Sequence, residues 1–268
     1  MNAKILLLII DMQNDFCSPK GSLYVPGSEK DALRLAKFIS KNEDVIDHII
    51  LTQDSHNVID ISHPVFWEDK QGNPPDPFTQ INLKQVIGGL WKPRFQKGKA
   101  VEYIRKLGQQ GEFPHTIWPE HCIFGSNGAA IIDEIIEPVK SWARRGNFYD
   151  IVVKGTNPLT EHFGALKAIV PIPGSPETQI NTAMVDKLIH AGRIYIAGEA
   201  KSHCVATTIK QLLHLGGLAR KLKIIVDCMS DVTGFEQIAL PIYEKAKTDG
   251  AEFVFSTEAV SLNALSPT

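Results

Sequence analysis

Long apolar runs are scarce in this sequence. The N-terminal run, Ile5 to Ile10, is six residues long and stops at Asp11. A membrane-spanning helix needs about 20 apolar residues, so no membrane partner is expected. No small-residue cleavage site follows the run, and the chain reads as cytoplasmic. Cysteine is scarce as well: Cys17, Cys122, Cys204 and Cys228 are the only four in 268 residues. Four cysteines in a chain of this size do not make a disulfide scaffold, so they are expected to be reduced thiols, one of them free to react. Excess charge of either sign is lacking. The 28 basic and 30 acidic residues give a net charge of −2. Without a basic stripe or a charged tail, nucleic acid is excluded as an expected partner. There is no internal repeat and no low-complexity linker.

What is present suits a soluble globular protein, with 43% hydrophobic and 22% charged residues. Fully apolar segments alternate with segments of helical spacing. Lys4–Ile10, Val45–Thr52, Ile151–Val153, Arg193–Ala197, Lys223–Val226 and Glu252–Phe255 read as strands. Glu29–Lys41, Ala129–Ala143, Thr182–His190, Val205–Leu215 and Gln237–Thr248 read as helices, with Ser28 a plausible N-cap for the first. Apolar strands alternating with helices predict an α/β fold: a three-layer α/β/α arrangement around a six-stranded parallel sheet, covered on both faces. Residues 1–268 are expected to form one domain with an insertion at about 64–118. A structureless loop of that length is improbable, so the insertion should have short elements of its own. Its tryptophans, Trp67, Trp91 and Trp118, leave two readings open: a packed surface flap, or a lid that lends aromatic faces to a pocket.

Three chemically distinct residues follow three of the strands: Asp11, Lys154 and Cys204. In an open parallel sheet the strand C-termini border one crevice, where ligands bind. Cys204 falls in a strand-to-helix turn, where the helix dipole and free N–H groups favour thiolate. This predicts nucleophilic catalysis, with Asp11 taking the thiol proton and Lys154 steadying the thiolate. The backbone N–H groups of Ala200 and Cys204 are expected to form an oxyanion hole. A second group follows the second strand: Asp54, His56 and, seven residues on, His63. Asp54 and His56 are two apart and point the same way in extended chain. Two imidazoles and a carboxylate with open positions suit Zn²⁺, Fe²⁺ or Mn²⁺, and His121 is a candidate fourth ligand. Asp60 and Glu120 are nearby carboxylates of lesser claim.

These motifs resemble those of the isochorismatase-like cysteine hydrolases, nicotinamidases in particular. They are Ile10-Asp-Met-Gln-Asn-Asp-Phe-Cys17, Thr52-Gln-Asp-Ser-His56 with His63, Trp118-Pro-Glu-His-Cys122, Val153-Lys-Gly155 and Gly198-Glu-Ala-Lys-Ser-His-Cys-Val205, in the family's order along most of the chain. The resemblance implies an amidohydrolase that passes through a thioester on Cys204 and releases an acid and ammonia. It implies a divalent metal at the histidine group and a cis peptide at Glu199–Ala200. Phe16, Trp118 and His203 are the expected substrate contacts. The implied partners are a small aromatic amide such as nicotinamide and further copies of the chain. Glu199 and Lys201 depart from the family's more usual apolar residue and threonine, and His162 or Phe163 is expected in place of the family's aromatic after the lysine. Three alternatives remain at this stage: isochorismatase-type vinyl-ether hydrolysis, another amide or carbamoyl substrate, and a non-catalytic ligand-binding protein.

Overall fold

The structure, a computed structural model, describes residues 4–111 and 113–258. Six parallel strands make the central sheet: β1 (Ile5–Ile10), β2 (His48–Asp54), β3 (Tyr149–Lys154), β4 (Arg193–Gly198), β5 (Leu222–Ile225) and β6 (Glu252–Val254). Their order is β6-β5-β4-β1-β2-β3. β1 is central and has no exposed residue on either face, as its unbroken apolar run requires. The chain winds outward in one direction through β2 and β3, then returns past β1 to β4. The topological switch point therefore lies between β1 and β4, where Ile10 pairs with Gly198.

Helices cover both faces of the inner strands; the edge strands depart from the expected double cover, with Ile151 and Val153 of β3 and Phe253 of β6 exposed. α1 (Ser28–Lys41) and α2 (Asp133–Ala143) pack on the face carrying Leu7 and Ile9, through Leu35, Phe38, Val139 and Trp142. α3 (Thr182–His190), α4 (Ala206–Leu213) and α5 (Leu240–Thr248) pack on the other, through Leu188, Ile209, Leu212 and Ala246 against Leu6 and Leu8. Fully burying one such large apolar side chain contributes about 1.5–3 kcal/mol. No helix among the described residues is long and apolar enough to cross a membrane.

Several boundaries differ from the sequence-based expectation, each for a local reason. Ser28 is inside α1 and caps nothing: Gly27, at φ 101°, takes the N-cap position, and the Ser28 hydroxyl donates to the Phe16 carbonyl. Ala129–Ile132 is not helical although its apolar spacing looks so: a turn through Ala129 and Ala130 leads to an isolated bridge between Ile131 and Gln13. Asn14 N–H donates to Ala130 O at 3.0 Å, and Ile132 N–H donates to Met12 O at 2.9 Å, which ties this stretch to the chain leaving β1. Residues 237–239 likewise precede α5 rather than open it.

The insertion builds its own small core. Phe66, Trp67, Ile81, Tyr103, Ile104 and Leu107 cluster there, with the helix Lys97–Gln110 as the longest element. Trp67 is buried and donates to Ile61 O at 2.7 Å, and Trp91 is half-buried against the same cluster. Of the three tryptophans only Trp118 lines the cavity described below. The flap reading therefore describes Trp67 and Trp91, and the lid reading only Trp118.

Candidate active site

The C-terminal ends of β1, β2 and β3 and the turn after β4 converge on one buried cluster. Asp11 follows β1 with φ 43°, a left-handed conformation that turns its carboxylate back over the strand ends. Thr52 of β2 braces it, accepting from Asp11 N–H at 3.0 Å and donating to Asp11 Oδ1. Lys154 ends β3 in register with Asp54, which ends β2. Lys154 Nζ lies 2.8 Å from Asp11 Oδ2 and 3.2 Å from Asp54 Oδ1. It also donates to His162 O at 2.9 Å and lies 3.8 Å from Cys204 Sγ. Gln13 grips the Asp54 backbone from both sides: its Oε1 accepts from Asp54 N–H and its Nε2 donates to Asp54 O, each at 2.7 Å.

Cys204 sits in a wide π-helical turn, Lys201–Val205, that leads into α4. The Glu199–Ala200 peptide before it is cis. Asp11, Asp54 and Cys204 present ligand-capable atoms within 4.8 Å of one another. Sulfur, carboxylate and ammonium thus meet although they lie far apart in sequence.

The electrostatics correct one expectation. Burial pushes the Cys204 thiol well above the ordinary cysteine value; Lys154 opposes this, while Asp11 and Asp54 add to it. The group at rest is a thiol, because desolvation outweighs the helix terminus and the single ammonium. Burial also raises Asp11, with Lys154 pulling the other way. Burial opposes charge on Lys154, yet Asp11 and Asp54 hold it well above the ordinary lysine value. Asp54, despite the same burial, is held far below the carboxylate range by Lys154 and His56.

The histidine group is equally compact. Asp54, His56 and His121 offer ligand atoms within 4.8 Å of one another. The ring centroids of His56, His63 and His121 are separated by 4.8–5.5 Å. Each Nδ1 faces an oxygen: Asp60 Oδ2 at 3.2 Å for His56, Val58 O at 3.2 Å for His63 and Pro119 O at 2.8 Å for His121. Such partners orient imidazoles so that Nε2 is presented to a cation. His63 Nε2 is buried and has no hydrogen-bond partner. One carboxylate and three imidazoles, with a nitrogen left orphaned, fit a divalent transition metal. Asp60 lies behind His56 rather than among the ligands, and Glu120 is exposed.

Next to both groups is a cavity of only about 20 Å³, room for a single water. Phe16, Trp118, Phe163, His203, Ala200 and Cys204 are among its walls. Phe163, rather than His162, is the aromatic that reaches it. His162 instead gives its carbonyl to Lys154. Gln13, Thr52, Phe113, Phe235 and Val232 were not singled out from the sequence. Gln13 and Thr52 carried a weak signal, being polar residues at otherwise apolar strand ends. Phe113 and Phe235 arrive by long-range packing and carried none.

The comparisons agree with this architecture. No protein-family model matches the chain. The curated nicotinamidase of Saccharomyces cerevisiae is 25% identical over 248 residues, covering 92% of this chain and 98% of that protein. The structure of yeast nicotinamidase Pnc1p bound to the inhibitor nicotinaldehyde superposes with a TM-score of 0.67 at 21% identity, over 94% of this chain and 99% of that one. This is the isochorismatase-like hydrolase fold. A pyrazinamidase of Pyrococcus horikoshii in complex with zinc shares the isochorismatase-like fold at a TM-score of 0.57 and 20% identity, over 94% of this chain and 99% of that one.

Proposed function

We propose that the protein is a metal-containing cysteine amidohydrolase that deamidates nicotinamide or a related small aromatic amide. The convergence of Asp11, Lys154 and Cys204 is the observation that carries this reading. The relatives' activity supports it.

The mechanism follows from the resting charges. Cys204 begins as a thiol beside the Asp11 carboxylate. Asp11 takes the proton as sulfur attacks the amide carbon, and Lys154 stabilises the negative charge that appears on sulfur. The N–H groups of Ala200 and Cys204 hold the carbonyl oxygen as it becomes an oxyanion. Asp11 returns the proton to the departing nitrogen, and ammonia leaves a thioester behind. Water then gives a proton to Asp11 and attacks the thioester, and the acid departs as the thiol reforms. The net reaction is amide plus water to acid plus ammonia. Asp54, His56, His63 and His121 would hold the divalent metal, zinc, iron or manganese, which when bound supplies Lewis acidity that polarises a ligand. Phe16, Trp118 and His203 would flank the aromatic body of the substrate.

The same reading treats the insertion as part of one domain, since Ile169 and Val170 from outside it join its core. It also carries a cytoplasmic, oligomeric enzyme of NAD salvage, as the resemblance implies.

The test is Cys204→Ala, assayed by ammonia release from nicotinamide and other primary amides. Release should vanish while the thermal unfolding transition stays near that of the parent. Near-parental turnover by the variant would overturn the reading.

A further inference from the structure

Glu199 is completely buried at the start of the nucleophile turn and has no part in the mechanism above. Its carboxyl meets two other stretches of chain. Oε2 accepts from Ser230 N–H, in the loop after β5, at 3.2 Å. The side chain is also hydrogen-bonded to Asp31 of α1, which is buried as well. No donor among the described residues reaches Glu199 Oε1. The same loop is tied to the turn elsewhere. Gly198 N–H donates to Cys228 O at 3.0 Å, Lys201 N–H to Ser230 O at 2.8 Å, and Val232 N–H to Ser202 Oγ at 3.1 Å.

Two ionised carboxylates have no hydrogen to share, so a hydrogen bond between them needs one proton. Asp31 is the acceptor of the pair, because its oxygens are already fed by donors. Oδ1 takes an N–H of Arg34, and Oδ2 takes the hydroxyl of Ser230. The nearby cations are held by aspartates rather than by Glu199: Arg34 by Asp31, and Lys201 by Asp231 Oδ2 at 3.0 Å. The other titratable groups facing Glu199 are Asp231, Cys17 and Tyr243, and none is positive. Burial and Asp31 together hold Glu199 well above the ordinary glutamate value. The proton therefore resides on Glu199.

We propose that Glu199 is a positioning residue whose carboxylic acid donates to the Asp31 carboxylate, and that this acid–carboxylate pair fastens the nucleophile turn to α1 and to the loop after β5. Ala200, the next residue, and Cys204 carry the N–H groups assigned to the oxyanion. The pair fixes those donors without touching the substrate. Loss of the Glu199 proton would leave two carboxylates facing each other in a dry interior, and the turn would be pushed away from α1. The pair stands on these contacts alone, while its effect on turnover rests on the amidase reading.

The experiment compares the parent with Glu199→Gln, whose amide N–H replaces the acidic hydrogen and does not titrate. The first arm is denaturant unfolding. The unfolded state releases the Glu199 proton near pH 4.5, and the folded state keeps it. Relative to the variant, the folding equilibrium constant of the parent should therefore fall about tenfold per unit between about pH 5 and 7. Parallel pH dependences overturn the protonated pair. The second arm is the pH profile of ammonia release from nicotinamide. As Glu199 ionises on the alkaline side, kcat of the parent should drop roughly tenfold with KM little changed, the size expected for one hydrogen bond to a charged group. Glu199→Gln should keep its rate there, and Glu199→Leu should have the low rate at every pH. A residue that only stabilises the fold leaves the rate of the folded enzyme unchanged, so superimposable kcat profiles, or a parental rate in a folded Glu199→Leu, overturn the positioning role. Asp31→Asn supplies the hydrogen from the other side and should match Glu199→Gln in both arms, so it decides the matter if the glutamine variant does not fold. If the parent releases ammonia from no amide, the amidase reading falls, while the unfolding arm still decides the pair.

Discussion

Lys154→Met tests the centre of the site most severely. The substitution keeps the length of the side chain and removes one ammonium that lies 2.8 Å from Asp11, 3.2 Å from Asp54 and 3.8 Å from Cys204. Two buried carboxylates are left facing each other without their shared cation. Breaking a buried pair in this way costs about 3–5 kcal/mol. Total stability is of order 5–15 kcal/mol, so the variant should fold, but weakly. At about 2–4 °C per kcal/mol for a chain near this size, the transition should fall by roughly 6–20 °C. The loss should depend on pH in a definite direction. In the parent, Asp54 is held below its ordinary value, so its contribution is complete above about pH 4 and is lost as pH falls through that region. In the variant both carboxyls rise above their unfolded values and destabilise increasingly as pH climbs. The gap between parent and variant should therefore be widest near pH 8 and narrow towards pH 4. A second readout is alkylation of Cys204 by iodoacetamide, followed by mass spectrometry. A unit charge at about 4 Å is worth about 4 kcal/mol at an effective dielectric of 20, or roughly three pK units on the thiol. Alkylation should slow by two to three orders of magnitude, taken as about one per unit. A transition within 2 °C of the parent together with unchanged alkylation would refute the account of Lys154 as the shared cation.

Two further outcomes follow from particular positions. Gly155→Ala should sharply reduce both bound metal and ammonia release. Gly155 has φ +76°, and an added Cβ would lie 2.4 Å from Asp54 Oδ1, so elemental analysis finding full metal content would contradict the ligand assignment. His115 is fully buried, donates from Nε2 to Ile61 O and has its pKa lowered to about 4. The unfolded state takes up that proton near pH 6.5 and the folded state only near pH 4, so stability should be intact above pH 6.5 and fall by roughly 3 kcal/mol between those values. Denaturant unfolding of His115→Gln should lose this part of the acid sensitivity; identical pH dependence in the two proteins would count against it.

Much of the fold could be read because burial on both sheet faces forces a simple pattern. β1 and β4 are continuous apolar runs, and a charged or reactive residue directly after such a run marks the crevice rim. Asp11 was legible for that reason, while Lys154 closes the edge strand β3 and Cys204 lies in the turn beyond β4, legible as chemistry-bearing residues at strand C-terminal ends. The histidine group was legible because Asp54 and His56 share one side of an extended segment. Other features depend on contacts that local pattern does not encode. Ala129–Ile132 has helical spacing, but hydrogen bonds with Met12 and Asn14 tie it to the chain after β1 and keep it out of the helix. Ser28 looks like a cap, but Gly27 turns the chain one residue earlier. The protonation of Cys204 depends on how completely the fold dries it, a property of the assembled interior rather than of the turn. Phe113 and Phe235 come from the end of the insertion and from the loop after β5, and only the folded chain brings them to His203.

The smallness of the cavity has a kinetic consequence. A space of about 20 Å³ holds one water, whereas a pyridine amide has nine heavy atoms. Leu23, Phe163 and Val232 belong to three separate stretches of chain and line this space together with Cys204. A ring fits beside Cys204 only when walls of this space move apart, and they must do so again for the acid to leave. Each catalytic cycle thus requires the enclosure to part twice, and the frequency of that parting is a ceiling on turnover that no improvement in the chemistry can lift.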